Sequence, residues 1–422
     1  MSLLRIDEIF SFEKGVLQSS KCVPGEFDFI TASSDWKTHN EYTHDCEALI
    51  FAAAASGSLG RTHYVNGKFV SSDLCFIITP KDPKNLPVDL KFYHILFNEL
   101  KDEIVRNTKA GTSKEAIGLG SFGKYELPYF DIDTQIEIKS QFVNSEEIKS
   151  ILTSELNQQV GLVKKLRQQL LQDAVQGKLV EQNSKDEPAS ELLKKIKAEK
   201  EKLKKGNVLE PISEASISYS IPNNWIWCKF GEVIQMSRGK FSIRPRNDPS
   251  YFGGEYPFIQ IGSLDEKGSV INEAIQTLNE KGIKVSKKFP KNTIAIAIVG
   301  GTIGNLGVLG REMYFTDSII GILPNKFYNQ DYILNYLRYK QPAIKSEAYQ
   351  MAGQPNIKIP TLENLLFPMP PLEEQNRIVQ KLDELMQYCN ELEASIKQGQ
   401  SQNEKLLQQV LREALRKEPI EE

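Results

Sequence analysis

Few residue patterns in this chain could carry covalent chemistry, and each falls short of what that chemistry needs. Asn247-Asp-Pro-Ser-Tyr251 is the nearest approach to an Asn/Asp-Pro-Pro-aromatic motif, which would grip the amino group of a flipped adenine, and it lacks the second proline. No cofactor-binding glycine motif accompanies it. Gly300-Gly-Thr-Ile-Gly304 lacks the Lys-Ser/Thr pair of a phosphate loop and reads as a tight turn after a buried strand. His39, His44, Cys46 and His63 form the only metal-like cluster, but their spacings match no standard zinc set, so no metal is expected. Each histidine reads first as a structural or solvated residue. The densest basic patch, with an aromatic inside it, is Arg238-Gly-Lys-Phe-Ser-Ile-Arg-Pro-Arg246.

The elements that would position these residues come in duplicate. Gly57-Ser-Leu-Gly60 matches Gly301-Thr-Ile-Gly304 at a shift of 244, which also pairs Asp73 with Asp317 and Pro80 with Pro324. At a shift of 240, Pro128, Gln135 and Ile138 meet Pro368, Gln375 and Ile378. Upstream, Glu8 and Gly15 pair with Glu232 and Gly239 at a shift of 224. Ordered matches at near-constant spacing indicate a duplication.

Each half opens with short apolar runs between Gly, Pro and Ser. These are Phe27–Ile30, Ala48–Phe51 and Leu74–Ile78, echoed by Pro257–Ile259, Ile294–Val299 and Ile319–Leu323. A helical stretch follows each set, Phe92–Leu100 and Tyr332–Tyr339, so an α+β module is expected twice. Each half closes in a long helix. Ile378, Leu382, Leu385, Cys389, Leu392, Ile396, Leu406 and Val410 mark a coiled-coil seam, repeated by Ile138, Phe142, Leu152, Leu156, Leu166 and Leu170.

The fold class expected is therefore two similar α+β modules separated by two long antiparallel coiled-coil helices, with pseudo-twofold symmetry. The expected boundaries are 1–130 and 221–370 for the modules and 371–418 for the C-terminal helix. Residues 131–206 would hold the central helix and a short basic helix opened by Pro188 and stopped by Gly206, and 207–220 a linker. From Ser190 to Lys205 that basic helix carries seven Lys against three Glu, which reads as a solvated or partner-facing surface.

Bulk properties bound the class. A net charge of −3 does not advertise an unaided nucleic-acid binder, so a partner or local clustering would have to supply phosphate contact. Five scattered cysteines without CxxC spacing fit reduced thiols. Neither a signal peptide nor a membrane-length apolar run is seen, which points to the cytoplasm.

Three landmarks resemble one family, the specificity subunits of type I restriction–modification systems. Phe367-Pro-Met-Pro-Pro-Leu-Glu-Glu-Gln-Asn-Arg-Ile-Val-Gln-Lys-Leu382 is similar to that family's entry into its C-terminal conserved helix. Leu166–Leu179 resembles the close of its central conserved region, and Ile221-Pro-Asn-Asn-Trp225 the lead-in to its second recognition domain. The first copy departs from the pattern. It reads Leu127-Pro-Tyr-Phe-Asp-Ile-Asp-Thr-Gln135, and the first module has no Ile-Pro-x-x-Trp lead-in.

The resemblance implies a non-catalytic subunit whose modules each read half of a bipartite double-stranded DNA target. Its helices would set the spacer and dock two modification (methyltransferase) subunits, with restriction (translocase-nuclease) subunits joining them. No cofactor is implied in this chain; S-adenosylmethionine, ATP and Mg belong to those partners. Candidate DNA contacts in the first module are Ser33, Ser34, Trp36, Lys37, His39, Arg61, His63 and Tyr64. In the second they are Arg238, Lys240, Arg244, Arg246 and, more weakly, Asn305; a solvated loop is the alternative for the basic patch. Candidate docking residues are Ile138, Leu152, Leu166, Leu170, Ile378, Leu382, Leu385 and Leu392. Two other readings stay open: a specificity subunit whose partner fuses methylase and nuclease, and a duplicated coiled-coil adaptor that binds only protein.

Overall fold

The computed structural model describes residues 2–54, 57–110, 115–202, 209, 211–350 and 355–416. They divide into two compact units. One takes the residues up to Asn157 together with those from Lys397 onward, and the other is Gln158–Ile396.

In the first unit a six-stranded sheet runs Phe10–Lys14, Cys75–Pro80, His44–Ala52, Thr62–Ser71, Phe27–Ile30, Lys37–His39. Neighbours are antiparallel, except that Phe27–Ile30 lies parallel to Thr62–Ser71. The run Ala48–Ala52 is apolar throughout because both faces of this central strand are covered. Leu49 and Phe51 face the helix Leu90–Glu99, whereas Ala48, Ile50 and Ala52 pack with Ile30, Val65 and Ile77 on the opposite side.

The second unit rebuilds this sheet. Its order is Met236–Arg238, Ile319–Ile322, Ile294–Ala297, Leu306–Leu309, Val270–Ile271, with the parallel pairing again between the fourth and fifth strands. Ile294 and Ile296 face one core, Ala295 and Ala297 the other. The second unit also has a four-stranded sheet, Gln276–Leu278, Phe252–Ile259, Met313–Phe315, Lys287–Phe289, of which the sequence discloses only Pro257–Ile259. These strands are short and carry Gly253, Gly254, Lys287 and Lys288, so alternation is weak.

Each module is closed by a two-stranded ribbon of its own first and last strands. Ser2–Arg5 pairs with Glu126–Tyr129, and Ile226–Lys229 pairs with Leu366–Met369. A single helical turn follows the first strand in both, with the carboxylate of Glu8 or Glu232 accepting from the backbone N–H three residues earlier.

The long helices are Ile132–Val175 and Leu372–Arg416. Within the second unit they contact each other at Arg167, which donates to Glu393 at 2.6 Å and Asn390 at 2.8 Å, beside buried Val163, Cys389 and Ile396. Within the first unit, Leu152 and Leu156 line a small cavity of about 240 Å³ with Asn403 and Glu404. The seam expected from sequence is corrected here. Leu166 and Leu392 are 44% and 49% exposed, and the contact runs instead through Val163, Arg167 and Glu393. A polar pair sits where leucine spacing suggested apolar packing. The side chain of Val410 lies outside the described residues.

The basic helix forms as Ala189–Lys202, with Leu192, Leu193 and Ile196 in the second unit's core. Its lysines are engaged: Lys194 with Glu191, Lys195 with Glu187, Lys197 with Glu232, and Lys200 with the carbonyls of Gly231 and Ile234. Lys204, Lys205 and the expected stop at Gly206 lie outside the described residues. Among the described residues no helix is long and apolar enough to cross a membrane.

Candidate nucleic-acid interface

Both modules contain the same tight turn. The equivalent Gly60 and Gly304 have φ of 81° and 79°, a left-handed backbone that favours glycine, and Gly57 and Gly300, at positions the repeat does not pair, are left-handed too at 78°. The Gly60 N–H donates to Ala52 O and the Gly304 N–H to Ala297 O, both at 2.8 Å. This is the turn-after-strand reading of Gly300–Gly304. The next residue in each copy reaches a backbone carbonyl on a neighbouring loop. Arg61 Nη1 donates to Ala32 O at 3.3 Å, and Asn305 Nδ2 to Leu264 O at 3.2 Å. Both candidates thus serve as half-buried tethers.

A second shared feature is the cradle that Gly15 and Gly239 make. A Cβ at either would meet a backbone oxygen, Ser72 O at 2.1 Å or Thr316 O at 2.0 Å, so only glycine fits. The strand edge is thereby pressed against the turns carrying Asp73 and Asp317.

In the first module, Ser34, Trp36, His63 and Tyr64 line one cleft of about 620 Å³ with Lys91, His94 and Phe142. The Trp36 ring stands edge-on to His63 at 5.8 Å. Lys91 lies over the Tyr64 ring, whose hydroxyl donates to Glu47 at 2.7 Å. Burial holds the His63 and His94 imidazoles below their ordinary pKa, which keeps them neutral at pH 7. Ser33 and Lys37 are exposed nearby in sequence, Ser33 bonding Asp35 O at 2.8 Å. His39 departs from its expected role. It is 8% exposed, and its Nδ1 bonds the backbone of Val23 at 3.0–3.1 Å, which makes it an internal strut. His44 is spent on Glu13 at 2.6 Å and stacks on Phe69.

In the second module the basic patch folds around one carboxylate that sequence reading paired with Asp73 but did not place in a site. Arg246 Nη2 donates to Asp317 Oδ2 at 2.8 Å, Arg244 Nη2 stands 3.5 Å from the same oxygen, and Arg238 Nε donates to the Asp317 carbonyl at 2.6 Å. Lys240 is exposed alongside. Asp248 is explained by a hydrogen bond to Ser250 N at 3.0 Å, capping a one-turn helix, so Asn247–Tyr251 is a capped turn.

Of the candidate docking residues, Ile138, Ile378 and Leu382 are at most 5% exposed and belong to the module cores, so they present nothing to another protein. The first turns of each long helix serve as core. Leu152, Leu170 and Leu385 are half-buried, and Leu166 and Leu392 remain open.

The three sequence landmarks meet in the second unit. Glu374 is buried and accepts from Trp225 Nε1 at 2.9 Å and Gln182 Nε2 at 2.7 Å, while Arg377 pairs with Asp186 at 2.7 Å. Gly177 ends the first long helix at φ 71°, close against Pro222 and Trp225. In the first copy Thr134 replaces Glu374, consistent with the missing tryptophan lead-in, and caps on Asp131 instead.

The chain belongs to the family of the type I restriction modification DNA specificity domain, whose model matches residues 2–171 and 222–399. It is 31% identical over 272 residues to the type I restriction enzyme EcoAI specificity subunit of Escherichia coli, covering 60% of this chain and 44% of that protein. It is 33% identical over 254 residues to the Escherichia coli EcoEI specificity subunit, covering 55% and 40%. The chain thus matches under half the length of either relative. In fold it is similar to the solved HsdS subunit from Thermoanaerobacter tengcongensis, with a TM-score of 0.59, 16% identity, and coverage of 98% and 96%.

Proposed function

We propose that this chain is the DNA sequence-specificity subunit of a type I restriction–modification complex. The observation that carries the reading is a single module built twice within one chain, each copy presenting polar, aromatic or basic side chains on a glycine-braced frame. Two such readers suit a bipartite target with an unread gap. The first reads through the Trp36–His63–Tyr64 cleft with Ser33, Ser34 and Lys37. The second reads through Arg238, Lys240, Arg244 and Arg246. Arg61 holds the loop that carries Ser33 and Ser34, and Asn305 tethers the loop at Leu264.

The long helices set the separation of the half-sites and dock two modification subunits through exposed apolar residues such as Leu166 and Leu392. Adenine methylation with S-adenosylmethionine, and ATP- and Mg-dependent translocation and cleavage, reside on those and the restriction subunits. Partner subunits also supply the phosphate grip that a chain of net charge −3 lacks.

Methylome sequencing tests the proposal. The host should carry adenine methylation at a split motif that disappears when this gene is deleted. Methylation unchanged by deletion in a strain with an active system overturns it and favours a protein-only adaptor.

A further inference from the structure

In the second module three arginines converge on Asp317, but they are not equivalent. Arg244 is committed: its Nη1 donates to Phe241 O at 3.3 Å and Ile243 O at 2.7 Å. Arg238 is committed through Nε to the Asp317 carbonyl. Arg246 has only the Asp317 carboxylate as partner among the described residues, and its side chain is 53% exposed. Most of its guanidinium donors, and the flat edge they define, therefore meet no partner among the described residues.

Asp317 sits in the turn braced by Gly239, with Gly239 N–H bonded to Ile319 O at 2.8 Å, and its Oδ1 is buried without a partner among the described residues. The first module keeps the turn and its aspartate, but there the Asp73 carboxylate accepts from the Ser72 hydroxyl at 3.4 Å and pairs with no arginine among the described residues.

A rigid carboxylate beside an arginine acts differently on two DNA surfaces. A backbone phosphate is an anion and is repelled by it. The O6 and N7 acceptors of guanine are neutral and match the guanidinium edge. We infer that Asp317 is the selectivity residue of the second module, positioning Arg246 for a guanine edge and turning it away from phosphate. This rests on the DNA-reading function proposed above.

The experiment is selection of randomised duplexes by the full chain co-expressed with modification subunits from its own genome, comparing wild type, Asp317→Asn and Arg246→Gln. Wild type should enrich a split motif with guanine in one half. Asp317→Asn should lose that guanine preference while keeping the other half. It should also bind random duplex on the order of tenfold tighter, with the log affinity against log salt slope steepened by about one. Arg246→Gln should lose the guanine without tighter random binding, and it carries the test if Asp317→Asn fails to fold by circular dichroism. No split enrichment by wild type overturns the function itself. A split motif without guanine in either half, or guanine preference and random-duplex binding unchanged in Asp317→Asn, overturns the role of Asp317 alone.

Discussion

Gln135 and Gln375 make the same hydrogen bonds in the two modules. Both are wholly buried. The Gln135 Oε1 accepts from Asp89 N at 2.7 Å and that of Gln375 from Asn329 N at 2.9 Å. Their Nε2 groups donate to Phe130 O at 2.7 Å and Pro370 O at 3.0 Å. Asp89 and Asn329 each cap the module's own helix, so one glutamine locks that helix to the first turn of the long one. Replacing Gln375 with Leu strands an N–H and a carbonyl in the core. It should cost about 2–4 kcal/mol in urea unfolding, and Gln135→Leu should do the same to the first unit.

Glu374 gives the second unit an unusual pH response. Burial raises its carboxyl pKa, outweighing the hydrogen bonds from Trp225 and Gln182 that favour the anion. The folded state therefore binds the proton more readily than the unfolded chain. Stability from this group is present below the unfolded pKa of about 4.3 and is lost as pH rises through the folded value. Glu374→Gln keeps the acceptor without the charge, so the variant should gain stability over wild type as pH rises towards neutrality. Paired melts at pH 4 and pH 7 decide this. Trp225→Ala should cost about 3–5 kcal/mol.

The helix seam should be sensitive to charge order at one point. Arg167 and Glu393 are 27% and 26% exposed, partly shielded from solvent. A double-mutant cycle on Arg167→Ala and Glu393→Ala should return a coupling of about 1 kcal/mol. Leu166→Ala and Leu392→Ala should change stability by under about 0.5 kcal/mol. On the docking role proposed above, co-purification of modification subunits with these two variants should nevertheless fall.

The first module should weaken in mild acid. His63 and His94 are held neutral by burial, so the unfolded chain takes up their protons first. Their stability contribution is complete above about pH 6.5 and is lost as pH falls through their lowered folded values. His94→Gln should flatten the pH 7 to pH 5 decline in the first unit's melting temperature. Trp36→Ala, which opens the same cleft, should degrade recognition of one half-site and spare the other.

Spacing offers a further test of the helices. Inserting about one heptad into one of them should change the gap between half-sites or abolish activity, with each half-sequence intact. Altered half-sequences with an unchanged gap would contradict the spacing role.

The repeat was legible in sequence because its markers do backbone work. Gly60 and Gly304 occupy left-handed turns, and Gln135 and Gln375 fill identical buried sockets, so neither pair tolerates replacement. The central strands were legible because both of their faces are covered. The seam was misread at Leu166 and Leu392 because leucine spacing alone cannot show which flank of a helix meets its neighbour. Asp317 is legible in sequence as a repeat marker but not as a site residue, because it lies 71 residues from Arg246 in the chain and only folding brings them to 2.8 Å. His39 keeps the structural reading that came first for each histidine and leaves the DNA-contact alternative, because a polar strand residue looks the same in sequence whether its ring points out or binds Val23.

The two-stranded ribbons that close each module have an evolutionary corollary. Where a module's entry and exit strands lie hydrogen-bonded side by side, as Ser2–Arg5 does with Glu126–Tyr129, the chain leaves almost where it came in. Everything between those strands is then a cassette. On the function proposed above, recombination that exchanged one cassette for another of different loop chemistry would rewrite half of the target in one genetic event, with the attachment points untouched.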